Sequence, residues 1–454
     1  MSRKQSPLSE SVLVPESTHK LMDATFANLK PATRKFLANL LDHALRHGRD
    51  EGLRVASDFT RNIQKEYGCA DYGHKDYDII SSMHSYRSQR QRSVEEYLWS
   101  FSDSAVKGQA TEYFAASDLL SQYVTSITAA LCDEEEVGKP YYDLVTGKRI
   151  DKPARERAPQ DAGYAMPRKA ANSIKRRVFN YEAILQHLES VKGTAKCYND
   201  LWCLKAVLAR RPKEVGGGLY SYKPNYRYAY TGRLYEVGGG LQSCSRLMKQ
   251  ASVLGVSEVH NYDLENSQVR LLHHELASHG ITNPLLDELM VKDKAYFANR
   301  LGIPVSEWKE LLLAFIFGEG EEKQVQRLPT EQSIHAYEEM TASLRKDMRK
   351  WRRRISNKKN LKKYRGKYLV KNALGLTEAL GDKSSVQLAA FILQGMESYF
   401  IYTVMSLAND YGFEVISCEH DGLLTIGEIP QEAIDYAIAE TALTCCNLVE
   451  KEIV

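Results

Sequence analysis

Two aspartates lie beside strand-like segments that are far apart in the sequence. Residues 256–262 form a strand-like run that leads directly to Asp263, after which a helical pattern begins. Near the C-terminus, strand-like residues 414–418 and 423–426 flank a turn that contains Asp421, which predicts a β-hairpin with a carboxylate at its tip. Because helical patterns surround both places, we expect a helix-rich α+β fold with the two aspartates at strand ends.

The bulk composition limits the class of protein. At 454 residues the chain can form two or three domains, and its 43% hydrophobic and 26% charged residues are typical of a soluble globular protein. The formal charge of +3 is too small to indicate an overall electrostatic attraction to nucleic acid. The first twenty residues are polar, and no stretch approaches the roughly 20 apolar residues of a transmembrane helix. None of the eight cysteines forms a CxxC pair, so we expect reduced thiols, a cytoplasmic location and no membrane partner.

Changes of pattern along the chain predict segment boundaries. Residues 1–20 are expected to be a flexible tail, and residues 21–132 a helical N-terminal domain. Residues 133–166 contain an acidic run, three prolines and little periodicity, which is typical of a linker or loop. Helical spacing resumes at residues 167–215, and glycine-rich runs then mark a change to more β-like sequence.

Paired aspartates at neighbouring strand ends suit phosphoryl and nucleotidyl transfer. In that chemistry two metal ions about 3.5–4 Å apart hold the attacking and the leaving oxygen. Mg²⁺ prefers one or two carboxylates together with waters and phosphates over a cage made entirely of protein groups. Most strand-end aspartates are helix caps or turn residues, however, so Asp263 and Asp421 need support from the surrounding motifs.

Five motifs occur in a fixed order around these aspartates. They are Tyr230-Thr231-Gly232-Arg233-Leu234 with Gly240-Leu241-Gln242, Asp263 with Arg270, Lys309 with Phe317-Gly318, Gln394-Gly395, and His420-Asp421-Gly422. This ordered set resembles the family A DNA polymerases and the related single-subunit RNA polymerases. The resemblance covers roughly residues 216–454, a little over half of the chain.

The resemblance implies a right-hand architecture of palm, fingers and thumb. Its parts would be thumb-like helices at residues 167–215, a first palm part at 216–290, fingers with a basic segment at 291–393, and a second palm part at 394–454.

The resemblance also implies roles for individual residues. Asp263, Asp421 and the backbone of Leu264 would bind two Mg²⁺ ions, for which Mn²⁺ can substitute. Lys309 would face the incoming triphosphate, where a cation offsets the charge that develops on the pyrophosphate. Further implied contacts are nucleotide binding by Leu264, Gln268 and Phe317 and nucleic-acid binding by Thr231, Arg233, Gln242, Arg270, Gln394 and His420.

Four positions depart from the family pattern. Val305 stands where the family has an arginine before the fingers lysine, and Arg300 is a candidate replacement. Gln268 replaces the glutamate that blocks the ribose 2′-hydroxyl in the DNA enzymes, and Gly422 replaces a glutamate after the second aspartate. Phe317 lacks the hydroxyl of tyrosine. These differences leave the choice between dNTPs and NTPs open, with a slight preference for dNTPs.

Residues 345–371 are strongly basic, since fourteen of the twenty-seven are Lys or Arg. Trp351, Tyr364 and Tyr368 are interleaved with these cations. This density suits a phosphate backbone, and the aromatic rings could stack on unpaired template bases. The residues expected to contact the template or the displaced strand include Arg352, Arg353, Lys358 and Lys362.

These features together predict a template-directed 5′→3′ DNA polymerase that uses two-metal nucleotidyl transfer. Residues 1–190 lack the spaced acidic residues of a proofreading exonuclease, so none is expected. An RNA polymerase or primase of the same superfamily is the first alternative, and a catalytically decayed nucleic-acid-binding replication protein is the second. A metal-dependent nuclease would not require Lys309 and Phe317. The expected partners are primer–template nucleic acid, (d)NTPs and a replication protein bound by the N-terminal helical domain, in a bacterial or phage-infected cell.

Overall fold

The computed structural model describes residues 8–26, 29, 31–47, 53–54, 99–101, 112–115, 117–133, 137–150, 162–192 and 194–453. Its helices are α1 Glu16–Phe26, α2 Pro31–His47, α3 Ser117–Leu131, α4 Ala165–Ser173, α5 Tyr181–Ser190, α6 Ala195–Leu208, α7 Arg246–Val253, α8 Ser267–Ser278, α9 Pro284–Val291, α10 Lys294–Leu301, α11 Val305–Ile316, α12 Glu321–Val325, α13 Glu331–Ile355, α14 Ser385–Ser406, α15 Ala408–Tyr411 and α16 Gln431–Thr441.

The strands form several small sheets between these helices. They are β1 Leu13–Pro15, β2 Leu53–Arg54, β3 Trp99–Phe101, β4 Glu112–Ala115, β5 Tyr141–Asp143, β6 Arg149–Ile150, β7 Arg177–Asn180, β8 Lys213–Gly216, β9 Leu219–Tyr222, β10 Tyr226–Tyr228, β11 Leu234–Glu236, β12 Val259–Leu264, β13 Lys362–Tyr364, β14 Lys367–Lys371, β15 Thr377–Ala379, β16 Glu414–Cys418, β17 Gly422–Ile426 and β18 Leu448–Lys451. The sheet orders are β1-β5-β6, β2-β4-β3, β7-β9-β8, β10-β11, β13-β14-β15 and β16-β17-β12-β18. The predicted helix-rich α+β class is confirmed, whereas the division into palm, fingers and thumb stays a prediction.

Buried apolar side chains form two clusters. The N-terminal core joins α1, α2 and α3 to α5, α6 and α7. The C-terminal core is larger and is built around α14, which packs against α4, α8, α13 and α16. Ser384 and Gln387 form a capping box at the start of α14, which fixes where this helix begins.

The four-stranded sheet β16-β17-β12-β18, here called the central sheet, positions the site described below. It is antiparallel throughout, and its strand pairs β12–β17 and β12–β18 join segments far apart in the chain. Residues of β16 and β17 are mostly buried, which explains their near-continuous apolar sequence. The predicted hairpin around Asp421 is present, and β12 extends through Asp263 to Leu264, two residues beyond the predicted strand.

The predicted flexible tail at residues 1–20 is wrong for its second half. Val12 and Val14 are almost fully buried, β1 pairs with β5, and α1 begins at Glu16. A strand of three residues is too short to show an alternating pattern, which is why the sequence did not indicate it. Residues 1–7 lie outside the described residues.

The predicted helical domain at residues 21–132 contains strands as well as helices. The sheet β2-β4-β3 lies within it, while residues 48–52, 55–98 and 102–111 lie outside the described residues. The predicted linker at residues 133–166 includes the paired strands β5 and β6, and its residues 134–136 and 151–161 are also outside the described residues. Strands β5 and β6 have three and two residues, so backbone pairing rather than a side-chain pattern defines them.

The predicted unit of thumb-like helices at residues 167–215 is divided between the two cores. Helix α4 packs on α14 in the C-terminal core, whereas α5 and α6 belong to the N-terminal core. Strand β7 separates them and pairs with β9. Helical periodicity identifies an apolar face but does not reveal which core covers it.

Among the described helices, α14 is long and apolar enough to cross a membrane by length and composition alone. Most of it is buried, since 83% of its most apolar window lies inside the protein. That burial is typical of the central helix of a core rather than of a helix that faces lipid.

Candidate active site

The central sheet brings Asp263 and Asp421 together. In the β12–β17 register Asp263 lies opposite Gly422, the residue after Asp421. The Leu264 N–H donates to the Asp421 carbonyl oxygen at 2.8 Å, which fixes the two backbones at this point. Pairing of strands far apart in the chain therefore makes these two aspartates neighbours, and their role as metal ligands stays a prediction.

Gly422 is required by this close approach. A Cβ atom at this position would lie 2.4 Å from the Tyr262 carbonyl oxygen and 3.5 Å from Asp263 Oδ1. Real Cβ atoms do not come this close to a backbone oxygen, so the glycine is explained by strand packing. Its departure from the family pattern consequently carries no information about the nucleotide sugar.

Replacing Gly422 by alanine is expected to move the hairpin and with it Asp421. We expect a loss of stability of about 1–3 kcal/mol from overpacking, and a 10- to 100-fold slower nucleotide addition, since displacements of about 1 Å can cost 10²-fold. Urea unfolding and primer extension measure the two effects. Gly320→Ala is the matched control, because that glycine has φ −59° and open space around it. Equal behaviour of the two variants would contradict the packing argument.

The Asp421 carboxyl group lies in an environment that disfavours its charge. Burial, followed by the negative charges of Glu397 and Asp263, raises its pKa to about 7. A site that raises a carboxyl pKa in this way gains free energy when a cation enters. Asp421 therefore has an environment that a bound cation would stabilise in its charged form.

The stability of the metal-free protein should depend on this carboxyl group. An unfolded aspartate has a pKa of about 3.9, so between pH 4 and pH 7 the folded state binds more protons and stability falls as pH rises. Asp421→Asn removes this loss and is expected to stabilise the protein at pH 8 by about 1–3 kcal/mol, reduced by the partial exposure of the side chain. Urea unfolding in EDTA measures it. The advantage should grow from pH 4 to pH 7, and a difference independent of pH would contradict the assignment.

Asp263 has a cationic neighbour that the sequence did not reveal. Lys451, on the adjacent strand β18, donates from Nζ to Asp263 Oδ2 at 2.8 Å. This ammonium group supplies positive charge at the place where the resemblance puts Mg²⁺. The pair is partly exposed, so Lys451 can move aside at small cost.

The donor set fits Mg²⁺ in number and type. Two carboxylates leave positions for waters and phosphates, as Mg²⁺ prefers, and the Leu264 backbone ligand stays a prediction. Within the described residues, no group of three or more His, Cys, Asp and Glu side chains is arranged as an all-protein metal site. Asp421 and Asp263 would hold the ions, and the raised pKa of Asp421 is the observation that supports this fit.

Glu397 organises the floor of the site and was missed from the sequence. This carboxylate in α14 is fully buried and accepts hydrogen bonds from Arg233 Nε at 2.8 Å and from Ser267 Oγ at 2.7 Å. Gln268 Nε2 also donates to it. The position lies one helical turn after Gln394, but only the tertiary structure shows that these donors converge on it.

Gln268 is directed into this buried network. Its side chain is 8% exposed, and its Oε1 atom is buried without a hydrogen-bond partner among the described residues. Its predicted place near the nucleotide sugar stays a prediction. Leu264, the predicted backbone ligand, ends β12 opposite Leu448.

The loop that contains Thr231 and Arg233 is held by backbone contacts. Asn372 Nδ2 donates to the Thr231 carbonyl at 3.1 Å, and the Tyr402 hydroxyl donates to the Gly232 carbonyl at 2.9 Å. Thr231 is buried, and Arg233 is mostly buried in its ion pair with Glu397. The predicted nucleic-acid contacts of this loop stay predictions.

Gly395 lies on the side of α14 that faces Asn372, the residue that binds this loop. A Cβ atom on Gly395 would lie 2.5 Å from Asn372 Nδ2, so glycine is required where the two segments touch. Gln394 is half-buried. Its contact with nucleic acid stays a prediction.

Two predicted nucleic-acid ligands have internal partners. Gln242 is buried and donates from Nε2 to the Leu234 carbonyl at 3.0 Å and the Cys418 carbonyl at 2.7 Å, which ties its segment to the hairpin. Arg270 forms an ion pair with Glu265 at 2.6 Å. Both residues therefore support the site from within, and their contact with nucleic acid stays a prediction.

His420 occupies the tip of the hairpin with a left-handed backbone, φ 74°. Its ring centroid lies 4.5 Å from that of Tyr235. Burial, aided by the positive charge of Arg233, lowers its pKa to about 4, so the imidazole is neutral at pH 7. A neutral ring next to Asp421 can donate or accept a hydrogen bond, which is compatible with its predicted place near a primer end.

Glu419 braces the hairpin on its other side. It accepts hydrogen bonds from Ser417 Oγ at 2.6 Å and Arg177 Nη1 at 3.2 Å, and Lys249 Nζ also donates to it. Burial alone would raise its pKa, but the charges of Lys249 and Arg177 outweigh burial, so the pKa lies below its usual value. This carboxylate is committed to structure, which leaves Asp421 as the hairpin's free acidic group.

The predicted fingers helix is α11. Lys309 is exposed on it, and Phe317 follows its last residue as the C-cap, half-buried against the C-terminal core. The predicted separation along one helix is therefore nearly correct. Arg300, the candidate replacement for the missing arginine, lies with its guanidinium 5.8 Å from the Tyr296 ring.

Lys294, at the start of α10, is a cation that the sequence did not identify. Partial burial and the positive charges of Lys309 and Lys451 lower its pKa, while Asp263 and Glu265 act in the opposite direction. Lys451 contacts Asp263, and Lys294 interacts electrostatically with Lys309, Lys451 and Asp263. Such a group of cations is suited to a polyanion such as a triphosphate.

The basic segment is divided by the structure into a packed helix and an exposed hairpin. Trp351 was predicted as a stacking platform, but it is fully buried and donates to Glu275 Oε1 at 3.1 Å, so that prediction is wrong. Arg352 is half-buried and donates to the Ile316 carbonyl at 3.0 Å. The predicted ligands Arg353, Lys358 and Lys362 are exposed.

Comparisons with known proteins give a likeness to solved structures and none to a family model or a curated sequence. No protein-family model matches the sequence, and no curated protein matches it. Among solved structures, the chain is similar to the POL domain of Pol1 from M. smegmatis, determined in complex with DNA primer-template and dNTP. The TM-score is 0.42 and the identity 15%, with 92% of this chain and 68% of that chain covered. Function is therefore argued from the geometry of the site.

Proposed function

We propose that the protein is a template-directed nucleotide polymerase. The observation that supports this proposal is the proximity of Asp263, opposite Gly422 in β12, to Asp421, directly before β17, with the pKa of Asp421 raised. A scaffold protein has no need to hold two carboxylates together where they repel each other. The free-energy cost of ionising a mostly buried carboxyl group beside other carboxylates is typical of a site that binds a charged substrate.

The two carboxylates would hold Mg²⁺, which supplies charge neutralisation of the attacking and leaving oxygens when bound. The chain itself contributes position and rigidity. Glu397 and the loop around Arg233 fix the floor of the site, and Glu419 braces the hairpin. Tight placement of this kind is how proteins lower the barrier for phosphoryl transfer, which needs little covalent help.

The triphosphate would lie among Lys309, Lys294 and Lys451. Their mutual repulsion is relieved by a polyanion, and Lys451 would exchange its contact with Asp263 for a phosphate oxygen when the metal enters. Lys294 would thereby take the place of the arginine missing at Val305. The nucleotide's charge is thus matched by groups from three separate elements.

The proposal has two candidate nucleotide substrates, dNTPs and NTPs. Gln268 is bonded to Glu397 and is only 8% exposed, so it presents little bulk toward a 2′-hydroxyl. This placement favours tolerance of NTPs more than the sequence did. We keep dNTPs as the proposed substrate class and RNA polymerase or primase activity as the second candidate, supported by this buried glutamine.

The experiment uses purified full-length protein with Mg²⁺ and a primed DNA template. Parallel reactions contain dNTPs, NTPs, or NTPs without primer. Extension with dNTPs supports the proposal. Extension with NTPs and not with dNTPs would show that ribonucleotides are the substrate. Synthesis without primer would identify a primase. No product in any reaction, with binding to primer–template intact, would assign the chain to the decayed class.

A further inference from the structure

A short cationic ribbon projects from the C-terminal core. It comprises residues 358–371, with β13 and β14 paired in register so that Tyr364 lies opposite Lys367. Arg365 and Gly366 form the turn with φ 45° and 82°, the left-handed pair typical of a two-residue hairpin. The ribbon is therefore a defined structural element and not a disordered basic tail.

The two faces of the ribbon differ. Val370 is buried in the C-terminal core, and Leu361 packs against that core from the same side. On the alternate positions, Lys362, Tyr364 and Lys371 are exposed. The outward face thus offers cations and one aromatic ring to solvent.

The charge of the ribbon has almost no internal compensation. Residues 358–371 contain seven Lys or Arg and no acid. In the part of the chain that the structure describes, Lys367 is the ribbon cation with a carboxylate partner, Asp382 at 3.0 Å. An uncompensated surface of this kind is complementary to a polyanion, with counterion release as the driving force.

Tyr364 and Tyr368 are not equivalent. Tyr368 is half-buried, and the ammonium groups of Lys358 and Lys363 each lie 5.7 Å from its ring. Tyr364 is 58% exposed, and the Arg365 guanidinium lies 5.2 Å from its ring. Holding a large aromatic side chain in water is unfavourable, so its ring is the candidate stacking surface.

The ribbon is fastened to the floor of the candidate active site. Asn372, directly after β14, donates to the Thr231 carbonyl at 3.1 Å, and Leu374 packs closely against Gly232. The next residue of that loop, Arg233, is paired with Glu397. A strand bound by the ribbon would consequently be guided to or from the carboxylates.

We propose that this ribbon binds single-stranded nucleic acid without sequence preference. Phosphates contact Lys362 and Lys371, and an unpaired base stacks on Tyr364. A paired base has both faces covered by its neighbours in the duplex, so the ring selects unpaired strands. The inference goes beyond the proposed polymerase function, because strand binding requires no catalysis.

The test measures fluorescence anisotropy of the full-length protein with a DNA strand of about 20 nucleotides, longer than a typical site of roughly 4–16. Tyr364→Ala should weaken single-strand binding about 5- to 100-fold, leave binding of the matching duplex within about twofold, and be rescued by Tyr364→Phe. Tyr436→Ala is the control, since Tyr436 is 50% exposed on α16. Equal losses for strand and duplex, or no loss, would overturn the proposal.

A second variant tests the phosphate contacts. Lys362→Ala with Lys371→Ala should reduce the slope of log affinity against log salt by about 1.4 for a single strand. Lys148→Ala with Lys175→Ala, both exposed elsewhere, should leave the slope unchanged. An unchanged slope in the ribbon variant would contradict the proposal. All measurements can be repeated in the Asp421→Asn background, so that a failure of catalysis does not affect this result.

Discussion

Asp421→Asn is expected to lower the rate of primer extension by at least about a thousandfold, because a metal contribution of several kcal/mol converts to this factor. The amide keeps the size of the side chain but removes the charge that would hold a cation beside Asp263. Single-turnover extension with saturating dNTP and Mg²⁺ measures the chemical step. Asp263→Asn should have a similar effect, since the charge of Asp263 acts on the Asp421 carboxyl group within the same site.

The effect expected on stability makes this prediction specific. Asp421→Asn is expected to unfold later than the wild type in metal-free buffer, so a loss of activity cannot be attributed to unfolding. Mg²⁺ should stabilise the wild type by mass action and should stabilise the variant less. Asp435→Ala is the control, because Asp435 is an exposed carboxylate on α16 away from the hairpin. Activity within tenfold of the wild type in Asp421→Asn would remove this residue from the catalytic centre.

Lys309→Ala is expected to reduce extension by about 10²- to 10³-fold, the range found when one group that stabilises developing charge is removed. Lys309 is exposed on α11, and its charge acts on Lys294, which also interacts with Lys451 and Asp263. The reduction should appear mainly in kcat, with a smaller rise in KM for the nucleotide, because the pyrophosphate gains charge as it leaves.

Two variants separate this role from a structural one. Lys309→Arg should recover part of the rate, since it keeps the charge but changes its position. Lys323→Ala removes an exposed lysine from α12, the helix that follows, and should change neither constant by more than about twofold. A change below threefold in Lys309→Ala would show that α11 does not face the nucleotide.

The sequence predicted best those features in which a chemically informative residue lies within a short segment of locally encoded structure. The hairpin around Asp421 is encoded by two short apolar runs and a turn, all within a few residues, so it could be predicted without tertiary information. The strand before Asp263 was also recognisable, although its end was placed two residues early. Ordered motifs then linked the two carboxylates, which periodicity alone could not do.

The parts that were missed depend on contacts between distant segments. Glu397 lies on a helix whose sequence is apolar on nearly every side, and nothing local shows that Arg233 and Gln268 converge on it. Lys451 reaches Asp263 because β18 pairs with β12, a contact between residues far apart in the chain. Trp351 was misplaced for the opposite reason, since its basic neighbours concealed a buried helical stripe.

Gly422 shows how a sequence difference can be misinterpreted. Against the family pattern it suggested a change of sugar preference, whereas the structure explains it by the carbonyl oxygen of Tyr262. Gln268 remains the position at which sugar preference can be tested, because Glu397 holds its side chain in the buried network at the floor of the site.

The most direct test of the central claim is single-nucleotide addition to a labelled primer on four templates that differ only in the first unpaired base. The full-length protein, Mg²⁺ and one nucleotide at a time are used, with Asp421→Asn alongside. A template-directed polymerase should add mainly the Watson–Crick complement of the first unpaired base on each template. Asp421→Asn should add no nucleotide. Addition that ignores the template base, or shortening of the primer in place of addition, would contradict the proposed function.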